Sequence, residues 1–320
     1  MRYGLFVPQG WRMDLIEIED PIEQYEAMTS VGKVADEGPW DSIWVYDHFH
    51  TVPKPTDNTV FEAWTATATL ARDTTRINVG QMVTCNGYRN PALWAKIAST
   101  VDVAAHGRLY AGYGAGWYEH EWKAYGYGFP ETRDRMRAFR EGVEIIHRMW
   151  TEDKPTFKGE YYSIDEPINE PKGVRKPHPS LWIGGGGEQV TLKLVARFAN
   201  ACNLGGPAEQ IIHKLEVLKG HCETVGRNYD EIIRSSSTNV FLLQEGENAE
   251  SATEKARSAI GATFEDFQRD FVVGTADKVI AALQEKTDAG IDYHLIYMPR
   301  IAYDHSMIQQ FTEQVIPQLG

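Results

Sequence analysis

Two stretches of this chain hold residue types that can do chemistry. The first is Asp47-His48-Phe49-His50, where a carboxylate stands beside an imidazole. An imidazole held by a carboxylate or a backbone partner titrates near neutrality and can move protons. The second is Leu181-Trp182-Ile183 followed by Gly184, Gly185, Gly186, Gly187 and Glu188, with Val190, Leu194 and Phe198 next at helical spacing. Without a Cβ, such residues take positive φ and turn several N–H groups outward beside the positive end of a helix, an arrangement that binds phosphate. A tight strand-to-helix connection without a ligand is the plain alternative.

Further groups lie near these in the expected fold. Thr84-Cys85-Asn86-Gly87 offers a hydroxyl, a thiol and an amide. A reactive thiol needs a base or cation beside it, and only Arg89 is close in sequence, so Cys85 reads as a packed or cofactor-lining residue. Trp117, Tyr118 and Trp122 cluster with Glu119, His120 and Glu121. Aromatics at helical spacing are usually core, and Trp117, directly after the glycines Gly112, Gly114 and Gly116, is the one expected against a flat ring. Asp47 and His50 have no third ligand at diagnostic spacing, so no metal is expected. A phosphate nest, an imidazole and several aromatics suit a planar phosphorylated cofactor with a flavin-type ring. The glycines at 112, 114 and 116 have the wrong final spacing for the dinucleotide fingerprint.

These residues need a scaffold that brings them together. Apolar patterning predicts strands over 2–7, 42–46, 76–83, 109–114, 181–183, 201–204, 233–243 and 293–298. Between them it predicts helices over 21–37, 60–71, 91–105, 118–125, 131–150, from 190 onward, 208–225, 247–270, 275–289 and 304–319. Eight alternations with no linker-like break predict one α/β domain over 1–320, a single (β/α)8 TIM barrel. The Pro-, Lys- and Glu-rich stretch 151–179, with a hairpin near 156–162, reads as an insertion before strand five, and 247–270 as a helical excursion after strand seven. Chemistry in such a barrel sits at the C-terminal ends of the strands, which is where Asp47, His48, Thr84, Trp117 and the glycine run fall.

Composition narrows the function. The chain has 320 residues, is 42% hydrophobic and carries a net charge of −13, which repels nucleic acid and anionic membrane. Any phosphate site must therefore draw on backbone dipoles and a few basic side chains. Three scattered cysteines suit a reducing compartment, and no apolar run approaches the roughly 20 residues needed to span a bilayer. The apolar start is too short for a signal peptide, so a soluble cytoplasmic protein is expected.

Val45-Tyr46-Asp47-His48-Phe49, Gly80-Gln81-Met82-Val83-Thr84, Tyr88-Arg89-Asn90-Pro91-Ala92, Gly107-Arg108-Leu109, Gly114-Ala115-Gly116-Trp117-Tyr118-Glu119 and Ile183 to Glu188 resemble, in this order, the bacterial luciferase-like superfamily. The combined pattern is most similar to the branch that uses the deazaflavin coenzyme F420, with the FMN-dependent monooxygenases as the alternative. The resemblance implies a deazaflavin at the C-terminal mouth, its phosphate on the amides of Gly185, Gly186, Gly187 and Glu188. Its ring would lie over strand three at Met82, Val83 and Thr84, beside Gly114, Ala115 and Trp117, with a cis peptide between Met82 and Val83. Asp47 would touch the ring edge and His48 would give or take the proton. A homodimer and hydride transfer to or from a small organic molecule are also implied. The family's sugar-phosphate dehydrogenases carry a glutamate after the fourth-strand glycines and a lysine after strand six. Here those places hold Trp117 and Gly205-Gly206-Pro207-Ala208, so a more apolar or aromatic substrate is expected.

Overall fold

The structure, a computed structural model, describes residues 1–319. Strands Arg2–Phe6, Ser42–Val45, Asn78–Gln81, Leu109–Gly114, Ser180–Gly184, Ala201–Asn203, Ile233–Leu242 and Tyr293–Tyr297 each pair in parallel with the next. The circle closes where Arg2 to Leu5 register against Tyr293 to Ile296, so the cylinder has no free edge. This is the expected (β/α)8 TIM barrel.

Strand period two divides the core into two layers. In Ser42–Val45, Ile43 and Val45 join the apolar shell under the helices, while Trp44 points among Tyr110, Trp182 and Tyr293 inside the barrel. Within that plug the Trp44 and Trp182 rings are 4.8 Å apart, and those of Trp182 and Tyr293 5.2 Å. Both faces are buried, which is why the strands read as apolar runs.

Helices Pro21–Glu37 and Ala208–Val225 fall where expected. The first starts because the Asp20 side chain accepts from the Ile22 and Glu23 N–H groups ahead of an N1 proline. The excursion after strand seven is not one helix but three, Ala249–Ala252, Glu254–Ile260 and Phe264–Asp270. Gly261, at φ +67°, ends the second, and the Thr263 side chain caps the third. The chain then returns as Val272–Gly274, alongside Val240 to Leu242. The last helix, Ser306–Gln314, is shorter than expected because Pro317 follows and supplies no N–H. In the insertion, Phe157–Lys158 pairs with Ser163–Ile164, and the Glu141 carboxylate accepts the Glu160, Tyr161 and Tyr162 N–H groups at 2.8–3.0 Å.

Strand three stops at Gln81, short of the expected Val83. The Met82–Val83 peptide is cis, and the chain resumes as Thr84–Cys85 beside Tyr113 and Gly114. Val83 thereby sits between two neighbouring strands at places where neither has a side chain. A Cβ on Gly114 would lie 2.6 Å from Val83 Cγ2, and one on Gly184 2.9 Å from Val83 Cγ1. A Cβ on Gly112 would lie 1.7 Å from the Gln81 carbonyl oxygen. Gly112→Ala is therefore expected to cost roughly 1–3 kcal/mol or more through backbone displacement, read as a lowered urea midpoint. An unchanged midpoint would show that this wall yields freely.

Candidate active site

Strand two ends at Val45 and passes Asp47 and His48 to the mouth. Asp47 is buried, and its carboxylate accepts the Cys85 N–H at 2.9 Å and both Arg89 Nη groups at 2.7 and 2.9 Å. Arg89 also pairs with Glu62, the cap of helix Ala63–Asp73. Arg89 therefore serves Asp47 rather than Cys85. Burial, then the charge of Asp47, pushes the Cys85 thiol well up, as suits a packed residue.

His48 is held on one side by Glu121, whose Oε2 lies 2.8 Å from its Nδ1. A carboxylate only accepts, so Nδ1 carries the proton and Nε2 has no partner among the described residues. The ring stacks on Trp11 at 4.4 Å, with an interplanar angle of 3°. The rings of Trp117 and Tyr118 meet it edge-on at 5.6 and 5.9 Å. Glu121, on the short helix Glu119–Ala124, is fully buried; its Oε1 accepts the Phe49 and His50 N–H groups at 2.8 Å each, and the Tyr88 hydroxyl donates to Oε2 at 2.7 Å. Burial pushes the Glu121 carboxyl up, but the His48 bond and charge and these donors outweigh it, and its pKa ends below the ordinary value.

Beside this group runs a cleft of about 640 Å³, lined by Met82, Val83, Gly114, Ala115, Trp117, Gly185, Gly187 and Glu188 among others. Trp117 is 60% exposed and contacts both the cleft and His48. Thr84 stands apart: its hydroxyl is buried and accepts the Trp64 indole N–H at 3.0 Å. The glycine run leaves strand five at Gly184, and Gly185 takes φ +110°. A turn over 188–190 intervenes before helix Thr191–Phe198, so the glycines do not open the helix directly. The Gly185 N–H is taken by the Asn203 carbonyl at 3.2 Å, whereas those of Gly186 and Gly187 have no acceptor among the described residues. Behind the turn, helix Ala208–Val225 adds three basic side chains. Lys214 Nζ lies 2.5 Å and His213 Nε2 3.1 Å from Glu188 Oε1, and His221 Nε2 2.9 Å from the Glu188 carbonyl oxygen. Lys214 and then His213 hold the Glu188 carboxyl below its ordinary pKa.

Sequence reading alone did not single out Glu121, Arg89, Trp11 or Lys214 for these positions. Glu121 sits between His120 and Trp122 in a polar-aromatic run where nothing separates it from Glu119. Its burial depends on contacts 33 to 73 residues away.

A family model described as luciferase-like monooxygenase matches residues 1–270. The chain belongs to that family. Among luciferase-like relatives, an F420-dependent glucose-6-phosphate dehydrogenase of Kineococcus radiotolerans is 28% identical over 315 residues, covering 89% of this chain and 90% of its own. A solved F420-dependent secondary alcohol dehydrogenase in complex with an F420-acetone adduct aligns with TM-score 0.82 at 19% identity, covering 100% of this chain and 99% of its own. A monooxygenase from Streptomyces bottropensis aligns with TM-score 0.83 at 20% identity, covering 100% of both. At such identities the two structures establish a shared barrel fold alone.

Glu121→Gln removes the charge that fixes His48 while keeping the shape. A carboxyl whose pKa falls on folding stabilises above its unfolded value of about 4.3 and loses that contribution as pH drops through its folded value. Wild type should therefore lose thermal stability below about pH 4 more steeply than Glu121→Gln, and at pH 7 the variant should be about 1–3 kcal/mol less stable. Parallel pH profiles of the melting temperature would exclude a stabilising ionised Glu121.

Proposed function

We propose that this chain is an F420-dependent oxidoreductase that transfers a hydride between the deazaflavin and a small organic substrate. The observation that carries the proposal is the carboxylate-held imidazole of His48, in contact with Trp117 at the side of a cleft whose glycine end has free amides. The cleft fits a phosphorylated ring. Its volume lies within the range of roughly 300–1,000 Å³ typical of ligand pockets, and the N–H groups of Gly186 and Gly187 are available to an anion. Met82, Val83, Gly114, Ala115 and Trp117 would line the ring, and Gly186, Gly187 and the Glu188 turn would hold the phosphate.

When bound, the deazaflavin supplies a two-electron hydride donor or acceptor. The protein's own part is placement and proton transfer. His48, its Nδ1 fixed by Glu121, takes a proton from a substrate hydroxyl at Nε2, or returns one to a carbonyl oxygen. Asp47, saturated by Arg89 and the Cys85 N–H, anchors the strand-two loop below the imidazole. Trp11, Trp117 and Tyr118 shield His48 from bulk water.

The F420-dependent glucose-6-phosphate dehydrogenase that matches nine-tenths of the chain supports the deazaflavin. The family description and the monooxygenase neighbour support a second reading, an FMN-dependent monooxygenase on the same barrel. For the substrate, the exposed indole of Trp117 and the open space at Gly205 favour an apolar or aromatic molecule over a sugar phosphate. A homodimer belongs to the same proposal.

Fluorescence titration with oxidised F420 and, separately, FMN should give saturable binding of F420 and at least tenfold weaker binding of FMN. Binding of FMN alone would reverse the two readings. His48→Ala should lower kcat by about 10²–10⁴-fold on any substrate found while leaving F420 binding unchanged. Unaltered turnover would reduce His48 to a structural residue.

A further inference from the structure

A second cavity, of about 620 Å³, opens between the loop after strand one, the loop after His50, Asn239 of strand seven, the end of strand eight, and the second and third of the short excursion helices. Met13, Val52, Ile260, Phe267 and Phe271 give it apolar walls. Three arginines also reach it, and two are neutralised in place. Arg300 holds Glu17 at 2.5 and 3.0 Å, and Arg269 is paired with Asp266.

Arg12 is different. No carboxylate among the described residues forms an ion pair with it; its Nη1 donates to the neutral Asn239 amide at 2.9 Å. Its Nε is sealed from solvent with no acceptor among the described residues, and the guanidinium lies 4.3 Å from the centroid of the Tyr297 ring. Among the described residues one of its five side-chain N–H groups thus meets an acceptor, and the buried Nε–H is left without one. The acids whose charge acts on it are Asp14 and Asp270. Asp14 is occupied by the Tyr297 hydroxyl at 2.6 Å and the Arg12 backbone N–H at 3.2 Å, and burial raises the pKa of its carboxyl.

We infer that this cavity binds an apolar molecule bearing one carboxylate, and that the Arg12 guanidinium holds that carboxylate. A planar carboxylate matches the guanidinium fork. A single negative charge is favoured because Glu17 and Asp266 already neutralise Arg300 and Arg269 and Asp270 also lines the cavity, so the second charge of a phosphate dianion would meet no further free cation. The cavity adjoins the proposed active site through Trp11, whose ring stacks on His48 and lies 5.4 Å from the Arg12 guanidinium carbon. That this ligand is the substrate rests on the hydride-transfer reading; its binding does not.

Calorimetric titration of the full chain with 3-phenylpropionate and with the neutral 3-phenylpropan-1-ol tests the assignment without any variant. The acid should bind wild type at least tenfold more tightly than the alcohol, as expected for a charged hydrogen bond, and Arg12→Gln should abolish the preference. Equal binding of the two, no binding of the acid, or a preference that persists in Arg12→Gln would overturn the inference. Displacement of the acid by inorganic phosphate would overturn the carboxylate assignment in favour of a phosphate ester. F420 titration of the same proteins separates the two proposals. Failure to bind F420 while the acid preference stands counts against the hydride-transfer reading alone.

Discussion

A carboxylate withdrawn from water must be surrounded by donors, and the mouth of this barrel is organised by how Glu121 meets that requirement. Its two oxygens receive the Phe49 and His50 amides, the Tyr88 hydroxyl and the His48 imidazole. These groups come from the loops after strands two and three, so one side chain of a six-residue helix ties three βα segments together. A helix that short has little stability of its own. Its burial of Glu121 and Trp122 against those loops supplies the rest, and the orientation of His48 follows from the same bonds.

The other half of the mouth depends on missing side chains. Val83 occupies space that a Cβ on Gly114 or Gly184 would fill, so the cleft floor is set by steric fit between backbones. Across it, a strongly acidic protein concentrates Lys214, His213 and His221 behind the glycine turn, where they are largely engaged by Glu188. Local dipoles and the Lys214 charge thus offset a repulsive overall charge at one place on the surface.

Much of this architecture is readable from residue pattern. Helix Pro21–Glu37 announces itself by Asp20, Pro21 and an apolar stripe, and the strands by apolar runs between glycines and polar loops, because those signals are local. The excursion misleads because its periodicity runs through Thr253 and Gly261 without interruption, while the backbone breaks at both. Asp47, His48 and the glycine run stand out because position at a strand end carries meaning in a barrel. Glu121 and Arg12 do not. Each differs from neighbours of the same type only through contacts with distant residues, Glu121 with His48 and Arg12 with Asn239, 227 positions away.

The broken excursion gives the Arg12 cavity a wall unlike the rest of the barrel. Two short helical pieces, Glu254–Ile260 and Phe264–Asp270, form it, joined at Gly261 to Thr263 and stitched back to strand seven by the Val272–Gly274 strand. Those joints let residues 249–270 lengthen, shorten or exchange side chains without disturbing strand register or the His48–Glu121 bond. In a lineage that keeps one reaction and changes its clientele, new selectivity would be written into this segment first.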